Sequence, residues 1–387
     1  MYFFRREKVQ CRYQFSLRDA VDNALLQRAL TAALASAPYY TQRLVQEKRE
    51  MWLEPNTEPC LVYPGSTMRN IPEQTNGYLF CVSCEGDTVY FDWYHFLLDG
   101  HGVSPLFTSI LEQYCNLRYG TAFAVQQIVC DPPYDMDAML AEHPPVEGGS
   151  DAIQRDVVQT YEGALRRTRV CLSKQSLVEK ALANNAKPVS ALMGLLCMAM
   201  REYLGKEKIQ YSYSSDTRDV AGVPNALYNC VCSFEHTVQL QAQTRLADFI
   251  SDVDADIKRD LQPQSKRRRM TEQMGWVYKV DQQKAPLRIK QRVFQMGEYI
   301  GGIISDFWLS YLGNPLMPAT PELAQYTTDF GVWVPPDGAS VGVEAASLNG
   351  KIILCIHNKA PNPGLADILR KTFETEGVAV LEAEDLD

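Results

Sequence analysis

Phe91-Asp92-Trp93-Tyr94-His95-Phe96-Leu97-Leu98-Asp99-Gly100-His101-Gly102 is the stretch on which the reading of this chain turns. An aromatic run of strand character ends in a histidine. Three apolar residues, an aspartate and a glycine-bracketed turn follow, and a helix opens at about Ser104. Nothing in folding alone calls for an imidazole where a strand leaves the core. With an ordinary pKa of about 6.5, a histidine is suited to taking a proton at neutral pH. Gly100 and Gly102 let the backbone turn tightly beside it. His95 is therefore the first candidate for chemistry.

Working outward, this run is the second arm of an expected hairpin, Tyr78 to Cys84 and Thr88 to His95, joined at Glu85-Gly86-Asp87. Upstream, Leu25, Leu26, Ala29, Leu30, Ala33 and Leu34 recur at helical spacing behind Asp22, and Pro38 stops the pattern. Strand-like stretches lie between, at Glu50 to Leu53 and Cys60 to Tyr63. Downstream, Leu106, Phe107, Ile110, Leu111, Tyr114 and Leu117 share one face of a helix from Ser104 to Leu117. From Cys130 to Gly149 the composition shifts. Asp131-Pro132-Pro133, His143-Pro144-Pro145 and Gly148-Gly149 stand among acidic residues and mark a linker or crossover.

The second half restates the theme. A helix is expected over Val189 to Leu204, strands over Lys208 to Ser214 and Ala226 to Leu240, and a helix over Ala247 to Leu261. Strand-like runs return at Ile303 to Leu309, Phe330 to Val334, Ser340 to Ala345 and Lys351 to Ile356, with a last helix near Pro363. Helices and strands alternate in both parts, which gives an α/β class with mixed sheets, divided into residues 1–149 and 150–387.

Composition narrows the function classes. The 387 residues, 46% hydrophobic and 22% charged, are enough for sizeable cores and exclude disordered and fibrous classes. A net charge of −9 argues against nucleic acid or an anionic membrane as a partner of the whole chain. Met1-Tyr2-Phe3-Phe4-Arg5-Arg6 reaches charge too soon for a signal-peptide core, and the longest apolar run, Ala191 to Met200, is about half a membrane span. Eleven scattered cysteines read as reduced, packed thiols of a cytoplasmic protein. Cys81-Val-Ser-Cys84 sits in a strand-like run with no helix start after it, so it does not read as a metal or redox pair. A metal reading of His95, Asp99 and His101 fails on layout, because a strand–turn–helix splays the three side chains. No strand–GxxxxGK–helix element supports a nucleotide cradle. The basic run Ser265-Lys266-Arg267-Arg268-Arg269-Met270 reads as a solvated loop, and His143, His236 and His357 as structural.

His95-x-x-x-Asp99-Gly100 resembles the HxxxDG motif of the chloramphenicol acetyltransferase-like superfamily, which includes condensation domains of peptide synthetases, plant acyltransferases and alcohol O-acetyltransferases. Val21 to Leu30 and Ala37-Pro38-Tyr39-Tyr40 are similar to that family's first helix and following proline. Asp216-Thr217-Arg218 and Tyr228-Asn229-Cys230 resemble its second-half N-x-R…G-N region. Ser310-Tyr311-Leu312-Gly313-Asn314 and Asp329-Phe330-Gly331-Val332-Trp333 resemble its S-N-x-G and DFGWG segments more loosely. The chain departs from the pattern at Tyr94, where condensation domains carry a second histidine, and at Val332. Both departures point to the stand-alone alcohol O-acetyltransferase-like branch.

The resemblance implies two chloramphenicol acetyltransferase-like halves with a tunnel between them and His95 at its middle. It implies an acyltransferase in which His95 takes the proton of an acceptor hydroxyl or amine while the acceptor attacks a thioester directly. Asp99 could orient His95 as in a protease triad, but the resemblance has it pair with Arg218, Gly100 completing the structural motif. Tyr94, Gly102, Ser310 and Asn314 are expected along the tunnel. The oxyanion donor is Ser310, Asn314 or a backbone N–H. No permanently bound cofactor and no metal are implied. Acyl-CoA or an acyl carrier protein would bring the acyl group, and the basic run could meet their phosphates. The rival from another class is a non-catalytic module of the same fold that binds a small ligand or a carrier protein.

Overall fold

Cys11, Tyr13, Phe15 and Leu17 alternate with Gln10, Arg12, Gln14 and Ser16, and the strand they form buries the first set completely. The computed structural model describes residues 9–142, 164–301, 305–336, 339–360 and 362–386. In chain order its strands are β1 (Gln10–Leu17), β2 (Gln42–Gln46), β3 (Met51–Pro55), β4 (Val62–Pro64), β5 (Phe80–Glu85), β6 (Thr88–Tyr94), β7 (Arg166–Ser173), β8 (Lys208–Asp216), β9 (Val231–Gln239), β10 (Ser305–Tyr311), β11 (Thr327–Trp333), β12 (Ala339–Leu348), β13 (Lys351–Asn358) and β14 (Val380–Asp385). The helices are α1 (Asn23–Leu34), α2 (Gly100–Tyr119), α3 (Met136–Glu142), α4 (Lys174–Ala183), α5 (Pro188–Leu204), α6 (Arg218–Ala221), α7 (Ile250–Asp260), α8 (Pro263–Asp281), α9 (Leu287–Gly301) and α10 (Leu365–Thr375).

Two large sheets result. The first runs β11-β1-β6-β5-β4 and the second β14-β7-β13-β12-β10-β8-β9. β10 runs parallel to β8 and β12 while the other strand pairs of that sheet are antiparallel, so the expected mixed α/β class holds. β1 lies between β6 and β11, with Phe15 opposite both Val89 and Phe330. Because β11 comes from the C-terminal part of the chain, the first sheet is completed from the second half. The expected boundary at 149/150, with His143 and Gly148-Gly149, lies outside the described residues, as do Met1 to Arg6 and the start of the run expected from Ile303.

The second sheet has two unlike faces. Val341, Val343 and Ala345 join Phe307, Leu309, Leu354 and Ile356 in a core shared with α5, where Leu192, Leu195, Leu196 and Met200 are wholly or almost wholly buried. The other face turns to the first half, where Ala346, Ile353, Cys355 and Cys171 belong to the first core with Tyr13, Phe15, Phe107 and Phe330. The basic run 265–270 is helical rather than a loop: it forms the first turns of α8, whose entry is set by Pro263. Lys266 pairs there with Asp219, Arg268 with Glu272 and Arg269 with Glu235. Among the described residues no helix is long and apolar enough to cross a membrane.

Candidate active site

Strand β6 ends at Tyr94, and His95 begins the turn that leads into α2. The His95 backbone N–H donates to Val9 O at 2.9 Å, so the start of β1 fixes where the turn leaves the sheet. Its half-buried ring places Nδ1 at 3.4 Å from Asn229 Nδ2, across from the second half. The Tyr94 side chain is buried, its ring packed edge-on against Phe96 with centroids 4.9 Å apart.

Asp99 does two jobs at the opening of α2. Its Oδ1 accepts from Gly102 N–H at 2.8 Å as an N-cap, which satisfies one of the helix's free first-turn donors. The same carboxylate receives Arg218 Nη2 at 2.8 and 2.9 Å and the Cys230 N–H at 2.9 Å. Both side chains are deeply buried, Asp99 at 2% and Arg218 at 3% exposure. All three guanidinium nitrogens of Arg218 are engaged. Nε serves Ala226 O at 2.7 Å, Nη2 also serves Tyr228 O at 2.9 Å, and Nη1 serves Asp216 Oδ1 at 3.1 Å. Burial alone would lower the guanidinium pKa, but the Asp99 carboxylate outweighs it and holds the group firmly charged. Asp99 and Arg218, the pair that the resemblance implies, are thus hydrogen-bonded to each other, and the Asp99 carboxylate is shared among Arg218, Gly102 and Cys230.

The glycines serve the same joint. A Cβ on Gly102 would overlap the Leu227 carbonyl oxygen, so only glycine lets the start of α2 meet the second half there. A Cβ on Gly100 would overlap the Leu312 side chain, and Tyr13 OH donates to Gly100 O at 3.1 Å.

The remaining expected residues each engage a neighbour of their own. Ser310 faces Glu344, its neighbour in the β10–β12 register, and hydrogen-bonds its carboxyl. Asn314 closes its own turn, Oδ1 accepting from Leu316 N–H at 3.0 Å. His101 is exposed, 3.7 Å from Asp216, and does not converge with His95 and Asp99. Among the described residues there is no group of three His, Cys, Asp or Glu side chains able to hold a metal. His236 is fixed by Asp260 at 2.5 Å and His357 by Val334 O at 2.8 Å. Cys81 and Cys84 are free thiols on β5, and burial pushes Cys81 up to about 12.

A cavity of about 350 Å³ adjoins the motif, lined by Tyr39, Leu53, Phe96, Leu97, Cys130 and Tyr228 together with Asp131 and Pro133. It touches the residues that follow His95 and the one that precedes Asn229, while His95 itself is not in its lining.

Asn229, the Cys230 N–H and Glu344 are the participants that residue-by-residue reading left unassigned. Asn229 and Cys230 stood in a quoted segment without a role. Glu344 carried a signal of its own, a lone carboxylate inside the apolar run Val341 to Ala346.

No family model matches the sequence, and no curated protein matches it. Solved structures do. Polyketide synthase associated protein 5 from Mycobacterium tuberculosis superposes with a TM-score of 0.64 at 16% identity, over 94% of this chain and 93% of that one. The first condensation domain of the CDA synthetase gives 0.62 at 12%, over 96% and 94%. The epimerization domain from the third module of tyrocidine synthetase B gives 0.60 at 11%, over 95% and 90%. This chain has the condensation-domain fold. In a condensation-domain fold the two mixed sheets form two lobes, and here the seam between them is where His95 meets Asn229 and Asp99 meets Arg218.

Proposed function

We propose that the protein is an acyltransferase that moves an acyl group from a coenzyme A or carrier-protein thioester directly to the hydroxyl or amine of a small acceptor, with His95 as general base. The observation that carries this reading is the placement of one imidazole, at a strand end, in a seam pinned from both halves by the Asp99–Arg218 pair. The condensation-domain fold supports it as the setting.

The chemistry sets conditions on the ring. Base work at Nε2 requires the ring proton on Nδ1, and a half-turn of the Asn229 amide brings its oxygen to that nitrogen as acceptor. Nε2 then takes the acceptor's proton as the oxygen or nitrogen attacks the thioester carbonyl. The thiolate leaves and recovers the proton from the imidazolium, so no acyl-enzyme is required. Eleven free thiols fit a reducing, cytoplasmic setting.

The non-catalytic binding reading draws on a separate observation, that the cavity beside the motif is lined by Phe96 and Leu97 but not by His95. One experiment separates the two. The protein is incubated with a panel of acyl-CoA thioesters and mixed alcohols and amines, and free thiol is followed. Acceptor-dependent thiol release that disappears in His95→Ala supports transfer. Acceptor binding with no release across the panel supports the binding module.

A further inference from the structure

Glu344 stands on β12 at 5% exposure, on the sheet face turned toward the first half. One hydrogen bond reaches it, from Ser310 on the parallel neighbour β10. Among the described residues its Oε2 is the one carboxylate oxygen that is buried without a hydrogen-bond partner. Other deep carboxylates are matched: Asp92 by Arg12, Asp99 by Arg218, Asp306 by Lys206 and Glu376 by Lys180. Burial pushes the Glu344 carboxyl up to about 8. Its position ties it to the motif. Charge on Glu344 is felt by Cys11 and Tyr13 of β1, and the Tyr13 hydroxyl donates to the Gly100 carbonyl in the turn after His95. Buried polar atoms are normally satisfied, so an orphaned carboxylate oxygen on the face turned to the first half calls for a partner.

We propose that Glu344, with Ser310, forms a subsite for an amino group of the acceptor, which is a diamine or an amino alcohol. This rests on the acyl-transfer reading above and names its substrate class. A neutral amine entering the seam takes the carboxyl proton: the O–H bond breaks, an N–H bond forms, and an ammonium–carboxylate pair results. That nitrogen has then used its lone pair and cannot attack a thioester. The group acylated is therefore the second amine or the hydroxyl at the other end of the molecule.

Calorimetric titration of the whole chain with 1,4-diaminobutane, 4-aminobutan-1-ol and butan-1-ol tests this without any thioester. The two amines should bind more tightly than butan-1-ol. Glu344→Gln should weaken the amines on the order of tenfold to a hundredfold, the loss of a charge-assisted hydrogen bond, and leave butan-1-ol unchanged. Folding of the variant is checked by its melting curve, and Ser310→Ala serves as a second, milder change in the same direction. Equal binding of all three probes by the wild type, or amine affinity unaffected by Glu344→Gln in a folded variant, overturns the subsite. Thiol release with butan-1-ol and no preference for the amines likewise overturns it while leaving acyl transfer standing. Glu344-dependent amine binding with no thiol release from any donor upholds the subsite and removes the acyl-transfer reading instead.

Discussion

Replacing Glu344 by Gln should stabilise the protein at alkaline pH and change little at acid pH. The reason is the direction in which burial moves the carboxyl. Its ordinary value of 4.5 rises to about 8 in the fold, with only the Ser310 hydroxyl to oppose the shift. The native state therefore keeps a proton that the unfolded chain has already lost. Stability is full below about 4.5, falls as pH rises, and reaches its floor above about 8. A displacement of that size corresponds to roughly 5 kcal/mol at about 1.36 kcal/mol per pH unit. This is a ceiling, since water entry or small backbone shifts on ionisation relieve part of it. Gln has the same shape, keeps the bond to Ser310 and never ionises. Urea unfolding of both proteins at pH 5, 7 and 9, followed by tryptophan fluorescence, reads the difference. At pH 5 the curves should coincide to within about 1 kcal/mol. At pH 9 the variant should lead by several kcal/mol, and saturating diamine should narrow that lead by supplying the missing cation. A gap that does not change between pH 5 and pH 9, or a variant less stable throughout, would refute the argument from burial.

Asp99→Ala leaves the Arg218 guanidinium buried without its carboxylate and should cost about 3–5 kcal/mol, so melting temperature and turnover fall together. Lost turnover with an unchanged melting temperature would instead assign Asp99 to the imidazole. His95→Ala should melt close to wild type, because the half-exposed ring carries little packing, while kcat drops roughly 10²–10⁴-fold and the acid limb of the pH–rate profile disappears. Full thioester-dependent turnover in that variant would end the assignment of His95 as base. Gly102→Ala drives a methyl into the Leu227 carbonyl and should impair activity even where the protein still folds, by prising the opening of α2 from the second half. An alanine variant with native stability and kcat would show that this contact yields freely.

How much of this was written in the sequence depends on whether an element announces itself locally. α1 did, through its spaced leucines and alanines behind Asp22, which caps Leu25 N–H at 3.0 Å. The β5–β6 hairpin and α2 did as well. β1 was passed over although its buried positions alternate without a break, because Arg12 and Gln14 interrupt the hydrophobic signal; Arg12 lies along the sheet to reach Asp92 at 2.6 Å. α8 and α9 were missed for the opposite reason. They pack on the outside through a narrow stripe, Val277, Leu287 and Phe294, and charged side chains dominate the rest. β11 was seen as a strand, but its pairing with β1, across more than three hundred residues, leaves no mark on either segment. Likewise Asp99 and Arg218 stand 119 residues apart, so their pairing came from the motif resemblance and not from spacing.

Four residues after His95, the Asp99 carboxylate ties the opening of α2 to the second half. Of the four hydrogen bonds it accepts, the one from Gly102 is local and the other three come from Arg218 and Cys230. Capping α2 and docking the β8–β9 connection are therefore the same act. Asn229 precedes Cys230 in sequence, so the bond that seats Cys230 on Asp99 also delivers the Asn229 amide to the imidazole. A hydrophobic pair at positions 99 and 218 would pack at no loss of stability, since buried ion pairs seldom add net stability over apolar packing. It would lack the directional bonds that fix where residue 229 falls. What the buried charges contribute is register between the halves, and it is that register which sets the position of the ring nitrogen proposed to do the chemistry.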